Sequence, residues 1–278
     1  MRVALLLAPA LSVIVVLFGG GMAVAVSRSV GWMPVIGLTD PSLAAYAVVF
    51  ADPDFWASFA LSLHIALTST ALAAVLAVAS ALLLRRSFAG RGIVAFLFQL
   101  NLTVPHLVGA IGILYLFSQS GAFARLAYQA GAIAVPGDFP ALVFDPYAIG
   151  IIAQYVWKEA PFIGLIVLAN LQSVGEDWEG VARSLGAGPW QRLRHVVLPM
   201  IGPGLVSACA IVFAFAFGAY EIPALLGASH PPAMPVAAYR AFTDVDLAQR
   251  PRAMAMSVVI AVVAGVAIWA YLRAARRA

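Results

Sequence analysis

EDWEGVARSLGAGPWQRLRHVVLPMIGPGL, residues 176–205, is a polar, helix-forming loop set between two segments apolar enough to cross a bilayer. Trp178, Val181, Ala182 and Leu185 recur at helical spacing and form one apolar stripe, while Glu179, Arg183 and Ser184 fall elsewhere on the same helix. Gly186 suits a left-handed helix stop, and Gly188-Pro189 suits the restart of a second helix through Trp190 to Val197, which Leu198-Pro199 is expected to end. Two short helices joined at a glycine make a rigid, L-shaped protrusion whose exposed stripe predicts a partner groove. The plainer alternative is an interfacial amphipathic helix with no partner.

The composition around this loop is that of a chain solvated by lipid. Hydrophobic residues are 63% and charged residues 10%, with a mean hydropathy of +0.98, where soluble domains carry about a quarter charged residues. Continuous apolar runs, rather than alternating ten-residue segments, favour helices over a barrel. Six such runs are read at about 3–26, 55–84, 93–117, 147–169, 201–217 and 254–272, so the fold expected is an all-α polytopic bundle of six transmembrane helices in one domain, 1–278, carrying the loop at 171–200.

If all six cross, Arg2, Arg85, Arg86, Arg91, Arg183, Arg192, Arg194, Arg273, Arg276 and Arg277 lie on one side, against Arg28, Arg125, Arg240, Arg250 and Arg252 on the other. That asymmetry predicts that both termini are cytoplasmic, and it explains the basic pI of about 9.5 without nucleic-acid binding. Most acids fall outside, at Asp40, Asp52, Asp54, Asp138, Asp145, Glu221, Asp244 and Asp246. The first run exceeds the apolar core of a signal peptide and is expected to be a retained anchor. The single cysteine, Cys209, has no internal disulfide partner. Asp40 and Pro41 are expected to cap and open a short interfacial helix, and Glu221-Ile222-Pro223 to start a short re-entrant or interfacial turn.

The loop resembles the cytoplasmic signature of permease subunits of type I ABC importers, which runs Glu-Ala-Ala, three residues, Gly, nine residues, Ile, one residue, Leu-Pro. In this chain that register falls on Gly180-Val181-Ala182, Gly186, Val196 and Leu198-Pro199. It departs from the pattern at the acidic position, where Gly180 stands and the nearest carboxylate is Glu179, one residue earlier. The resemblance extends over most of the chain, through FALSLHIALTSTALAAVLAVASALLL, WKEAPF at 157–162 and TDVDLAQRPRAMAMSVVI.

It implies that Trp178, Glu179, Gly180, Val181, Ala182, Leu185, Gly186, Leu198 and Pro199 couple the membrane helices to an ATPase subunit dimer. It also implies a second permease subunit, paralogue or second copy, and an extracytoplasmic solute-binding protein, with this chain in the inner membrane as a transport subunit and not an enzyme. The whole-chain resemblance is to the group handling polyamines, iron(III), thiamine and phosphonates, and with the acid-rich outer face it implies a polyamine or similar cation as cargo. The only lysine is Lys158, and Glu159 follows it, so the chain holds no Gly-Lys-Ser/Thr phosphate loop; no cofactor is expected on this chain, and ATP and Mg are expected on the partner ATPase.

Lys158 and Glu159 are charges inside the fourth run, and Pro161 frees the carbonyl of Trp157. This segment either lines the translocation path or its gate, or forms a structural polar clamp between helices. Glu221 either faces an outer vestibule or caps a loop amide. Asn101, Thr103 and Pro105-His106 offer polar lining or interhelical hydrogen bonds. The four scattered histidines form no metal site, and the Asp244-Val-Asp246 triplet reads as loop solvation or contact with the delivery protein. A polytopic membrane enzyme using Asp244 and Asp246, or a proton-coupled carrier using Lys158 and Glu159, are the competing functions.

Overall fold

The structure is a computed structural model that describes residues 2–85, 89–174 and 177–275. Its helices, in chain order, are α1 (Arg2–Val13), α2 (Gly20–Ser29), α3 (Ala44–Ala51), α4 (Pro53–Leu84), α5 (Arg91–Thr103), α6 (His106–Phe117) and α7 (Ala122–Gln129). They continue as α8 (Ile149–Val174), α9 (Asp177–Ser184), α10 (Pro189–Arg192), α11 (Leu198–Gly218), α12 (Glu221–Leu226), α13 (Met234–Phe242) and α14 (Arg250–Ala275). Six stretches are long and apolar enough to cross a membrane: Leu6–Ser29, Pro53–Leu84, His106–Gln129, Ile149–Gln172, Pro189–Gly218 and Leu247–Arg273.

The bundle is built on α4, which packs along α8 and against α11, while α14 closes on α11, α13 and α2. Ala73, Ala77 and Ala81 of α4 recur every fourth residue and are wholly or almost wholly buried against Ile163 and Val167 of α8 and Ile201, Ala208 and Val212 of α11. Lipid removes the hydrophobic incentive for helices to associate, so small side chains at this spacing hold the bundle by letting backbones approach and pack. A second cluster fills the other half, where Phe55 and Ile65 of α4 meet Ile151 and Tyr155 of α8, Phe217 of α11 and Met234 of α13. Ser62 ties α13 to α4 by accepting the Met234 amide at 2.7 Å.

Three local expectations are corrected. The third run is not one helix: Pro105 has no amide to donate and holds Val104 extended (φ −73°, ψ 124°), so the run divides into α5 and α6 and the apolar crossing becomes His106–Gln129. Leu198-Pro199 does not end the second loop helix. The chain runs unbroken from Pro189 to Gly218, because the wide π-helical stretch Leu193–Val197 precedes Pro199 and accommodates its ring and missing donor. Asp40 and Pro41 do not open the first-loop helix; α3 starts at Ala44, whose amide is held by the Ser42 hydroxyl at 3.3 Å. The turn expected at Glu221 is present as α12, with Ile222, Pro223 and Leu226 buried.

Candidate functional site

The interruption at Val104-Pro105 leaves carbonyls at the end of α5 short of helical donors: that of Val104 has none, and that of Asn101 has the Val104 amide at 3.2 Å. Lys158 of α8 repairs them: its Nζ donates to the Asn101 carbonyl at 2.6 Å and also to that of Val104. Pro161 creates the converse defect in α8, and Asn101 Nδ2 donates to the freed Trp157 carbonyl. The end of α5 and the Pro161 turn of α8 therefore satisfy each other through Lys158 and Asn101. This arrangement makes Lys158, only 4% exposed, an interhelical clamp.

Glu159 points about 100° further round α8 and makes a different polar contact, although Lys158 borders the same cavity. Its carboxylate lies 3.8 Å from His106 Nε2, and both border a cavity of about 250 Å³ with Thr103, Val104, Pro105 and Phe162. Gln154 fixes the start of α6 by donating to the His106 carbonyl at 3.1 Å. Tyr155, one turn before Glu159, is wholly buried, and no hydrogen-bond partner reaches its hydroxyl among the described residues. Glu221 opens α12 and is exposed, with its charge near enough to act on both His106 and Tyr155. No donor among the described residues reaches its carboxylate, so the capping role weighed for it is not realised there. The structure thus sets Glu159 of α8 beside His106 of α6, with Tyr155 one turn away on α8 and Glu221 at the start of α12.

At the opposite end of the span lies the loop. Gly186 takes φ +84°, and Gly186 and Ala187 donate back to Arg183 and Ala182 at 3.0 and 2.9 Å, which stops α9. Gln191 then accepts the Gly188 amide at 2.8 Å and starts α10 at Pro189. Trp178, Val181 and Leu185 are 61%, 55% and 82% exposed, so the stripe expected from the sequence has no cover in this chain. Gly180, Leu198 and Pro199 are exposed as well, and Ala182 is half-buried.

Glu179 differs from its neighbours on α9. Arg85, which follows the last residue of α4, grips its carboxylate with both terminal nitrogens, Nη1 to Oε1 and Nη2 to Oε2, the second at 3.1 Å. The guanidinium of Arg85 holds this carboxyl below its ordinary range, partial burial opposes that, and Arg192 and Arg183 add to it. The group lines a cleft of about 970 Å³ with Arg85, Arg91, Arg183, Trp190 and Arg192. Arg85 is a residue that the sequence did not single out: nothing local marks it as a partner for a side chain 94 positions away.

The remaining candidates have local roles. Asp244 and Asp246 accept backbone amides at 2.9 Å within their own loop, from Asp246 and Ala248. His64 lies 3.2 Å from the Tyr147 carbonyl, and no metal-holding group of His, Cys, Asp and Glu occurs among the described residues.

Residues 69–277 match the family model described as binding-protein-dependent transport system inner membrane component. The trehalose transport system permease protein SugA of Mycobacterium tuberculosis is 32% identical over 168 residues, which cover 60% of this chain and 52% of that protein. The molybdenum transport system permease protein ModB of Mycobacterium bovis is 31% identical over 189 residues, covering 64% of this chain and 67% of its own. The chain thus spans about half the length of the first of these relatives. A crystal structure of a bacterial ABC transporter involved in the import of the acidic polysaccharide alginate shares the fold, with a TM-score of 0.79 over 99% of this chain and 95% of the matched one at 19% identity.

Proposed function

The chain belongs to the family of binding-protein-dependent transport system inner membrane components, and from that premise we propose that it is one membrane subunit of an ATP-driven importer. In this reading a binding protein delivers a small polar solute to the outer face, and two permease subunits pass it inward by alternating access. ATP, with Mg, is hydrolysed on separate ATPase subunits that grip the loop around Gly186. The observation that carries the reading is the uncovered stripe of Trp178, Val181 and Leu185 on a helix that is stopped rigidly at Gly186. An apolar helix face of this kind fits a groove, and a stiff bend transmits a rigid-body push where a mobile loop would absorb it. Cytoplasmic placement of both termini follows from the arginine asymmetry.

The cargo reading is a hydroxyl-rich solute. Glu159 and His106, which border the cavity, can exchange hydrogen bonds with hydroxyls, whereas the ammonium of Lys158, which borders it too, is already engaged by two carbonyls. A relative named for trehalose is consistent with it, and polyamines are not among the cargoes named for the relatives above. One observation keeps the cationic alternative, namely the exposed carboxylate of Glu221 beside the same cluster.

The test is co-purification of the chain with its ATPase and binding protein, followed by uptake of labelled trehalose and spermidine into sealed vesicles with ATP inside. Uptake should require both the nucleotide and the ATPase subunit. Movement of either solute by the chain alone, without nucleotide, would overturn the importer reading in favour of a carrier. Preference for spermidine would overturn the cargo reading only.

A further inference from the structure

Resting on that reading, we infer that Arg85 and Glu179 form an internal clamp through which movement of α9 enters α4, so that the acid of this loop serves the chain's own membrane span and not the ATPase surface. Both are positioning residues: they act through the helices they join.

The connectivity supports this. The principal packing of α9 is on α10 and on the π-helical stretch Leu193–Val197, whereas α4 is the element on which α8 and α11 assemble. The two-toothed contact from Arg85 to Glu179 bridges these parts, and a guanidinium–carboxylate fork resists both rotation and separation. It is partly sheltered, with side chains 29% and 19% exposed, and so is screened less than a surface pair. The charges of the cleft point the same way. Glu179 is the one carboxylate among the described residues lining it, facing guanidinium groups of Arg85, Arg91, Arg183 and Arg192. These belong to the end of α4, the start of α5, α9 and α10. Without Glu179 four like charges would repel, and the segments carrying them would lose their common anchor.

The departure from the family pattern then has a geometric meaning. Position 180, where the pattern has its acid, lies about 100° round α9 from position 179. A Cβ built at Gly180 meets nothing within 4 Å, so that position opens into the cleft without a contact of its own. The acid at 179 is the one that meets Arg85, and a carboxylate moved to 180 would leave α9 at a different angle.

The experiment uses the complex of this chain with its co-purified ATPase subunit, in a Cys209→Ser background. Thr103→Cys beside the mid-membrane cavity is reacted with a membrane-impermeant maleimide, with and without ATP and vanadate. Glu179→Gln should retain the ATPase subunit yet lower the nucleotide-dependent change in labelling rate by about tenfold, within the usual range for coupling between sites. Adding Gly180→Glu to Glu179→Gln should not restore it, whereas the charge swap Arg85→Glu with Glu179→Arg should. Restoration by Gly180→Glu, or a switch undiminished in Glu179→Gln, would overturn the clamp. Melting of the isolated chain in detergent supplies a double-mutant cycle for Arg85→Gln and Glu179→Gln, in which strictly additive shifts would also overturn it. Failure of the wild-type chain to bind an ATPase subunit would overturn the proposed function, and this inference with it. The melting cycle tells that outcome apart from failure of the pair alone.

Discussion

At the scale of single residues, Lys158 and Glu159 are adjacent in sequence and border one cavity, yet Lys158 meets backbone carbonyls and Glu159 meets His106. The ammonium of Lys158 donates to carbonyls at the break made by Pro105, so Lys158→Met should strand that of Val104, while that of Asn101 keeps the Val104 amide. The expected loss is about 1–3 kcal/mol for the stranded group, read as a lower melting temperature in detergent. Glu159 borders the cavity with His106, and Glu159→Gln preserves its shape while removing its charge. Transport should fall by about tenfold, equivalent to ~1.4 kcal/mol, with membrane assembly unchanged; wild-type uptake in that variant would remove Glu159 from the path. Glu179 makes a pH prediction. Its carboxyl is held below the usual range in the folded chain, so its stabilising contribution is present above the unfolded-state value and is lost as pH falls through the depressed folded value. The melting difference between wild type and Glu179→Gln should therefore be largest near neutrality and shrink in acid. The sequence marked Lys158, Glu159 and the freed Trp157 carbonyl, since charge and proline are visible in any string of letters. It did not show that Asn101 takes that carbonyl or that Arg85 takes Glu179, since both contacts join segments far apart in the chain.

At the scale of elements, prolines decide where helices break, but neighbours decide what a break becomes. Pro105 separates α5 from α6, whereas Pro161 leaves α8 continuous because Asn101 replaces the missing bond, and Pro199 leaves α11 continuous after a widened turn. Breaks of this kind survive in a membrane only where protein covers them, and here the break after α5 faces the Pro161 turn of α8. The seam between α6 and α8 depends on Gly109, where an added Cβ would come within 2.6 Å of Gln154 and 2.7 Å of Trp157. Gly109→Leu should force α6 away from α8 at a cost of about 1–3 kcal/mol. It should also enlarge the cavity beside Glu159, detectable as faster labelling of Thr103→Cys; unchanged melting and labelling would show that the seam has slack.

At the scale of the whole molecule, ion pairs sort the loops into two ends of the bundle. Asp52 meets Arg252 at 3.2 Å and Asp54 lies 3.8 Å from His230 at one end, while Arg85 meets Glu179 at the other. That sorting agrees with six alternating crossings and yields a topology prediction. In the Cys209→Ser background, Thr243→Cys should react with an impermeant reagent in intact cells, and Ser184→Cys only after permeabilisation; the reverse pattern would invert the orientation read from the arginines. The sequence by itself determined that the chain is a bundle of membrane helices and where its polar loop bends. Hydropathy over twenty residues, arginine counts and the glycine at 186 are local quantities, and lipid leaves little choice of backbone. Only the tertiary structure decided which carbonyl each buried donor finds and that the Glu179 carboxylate turns to Arg85. Those outcomes depend on distances between side chains of separate helices, which one-dimensional periodicity does not encode.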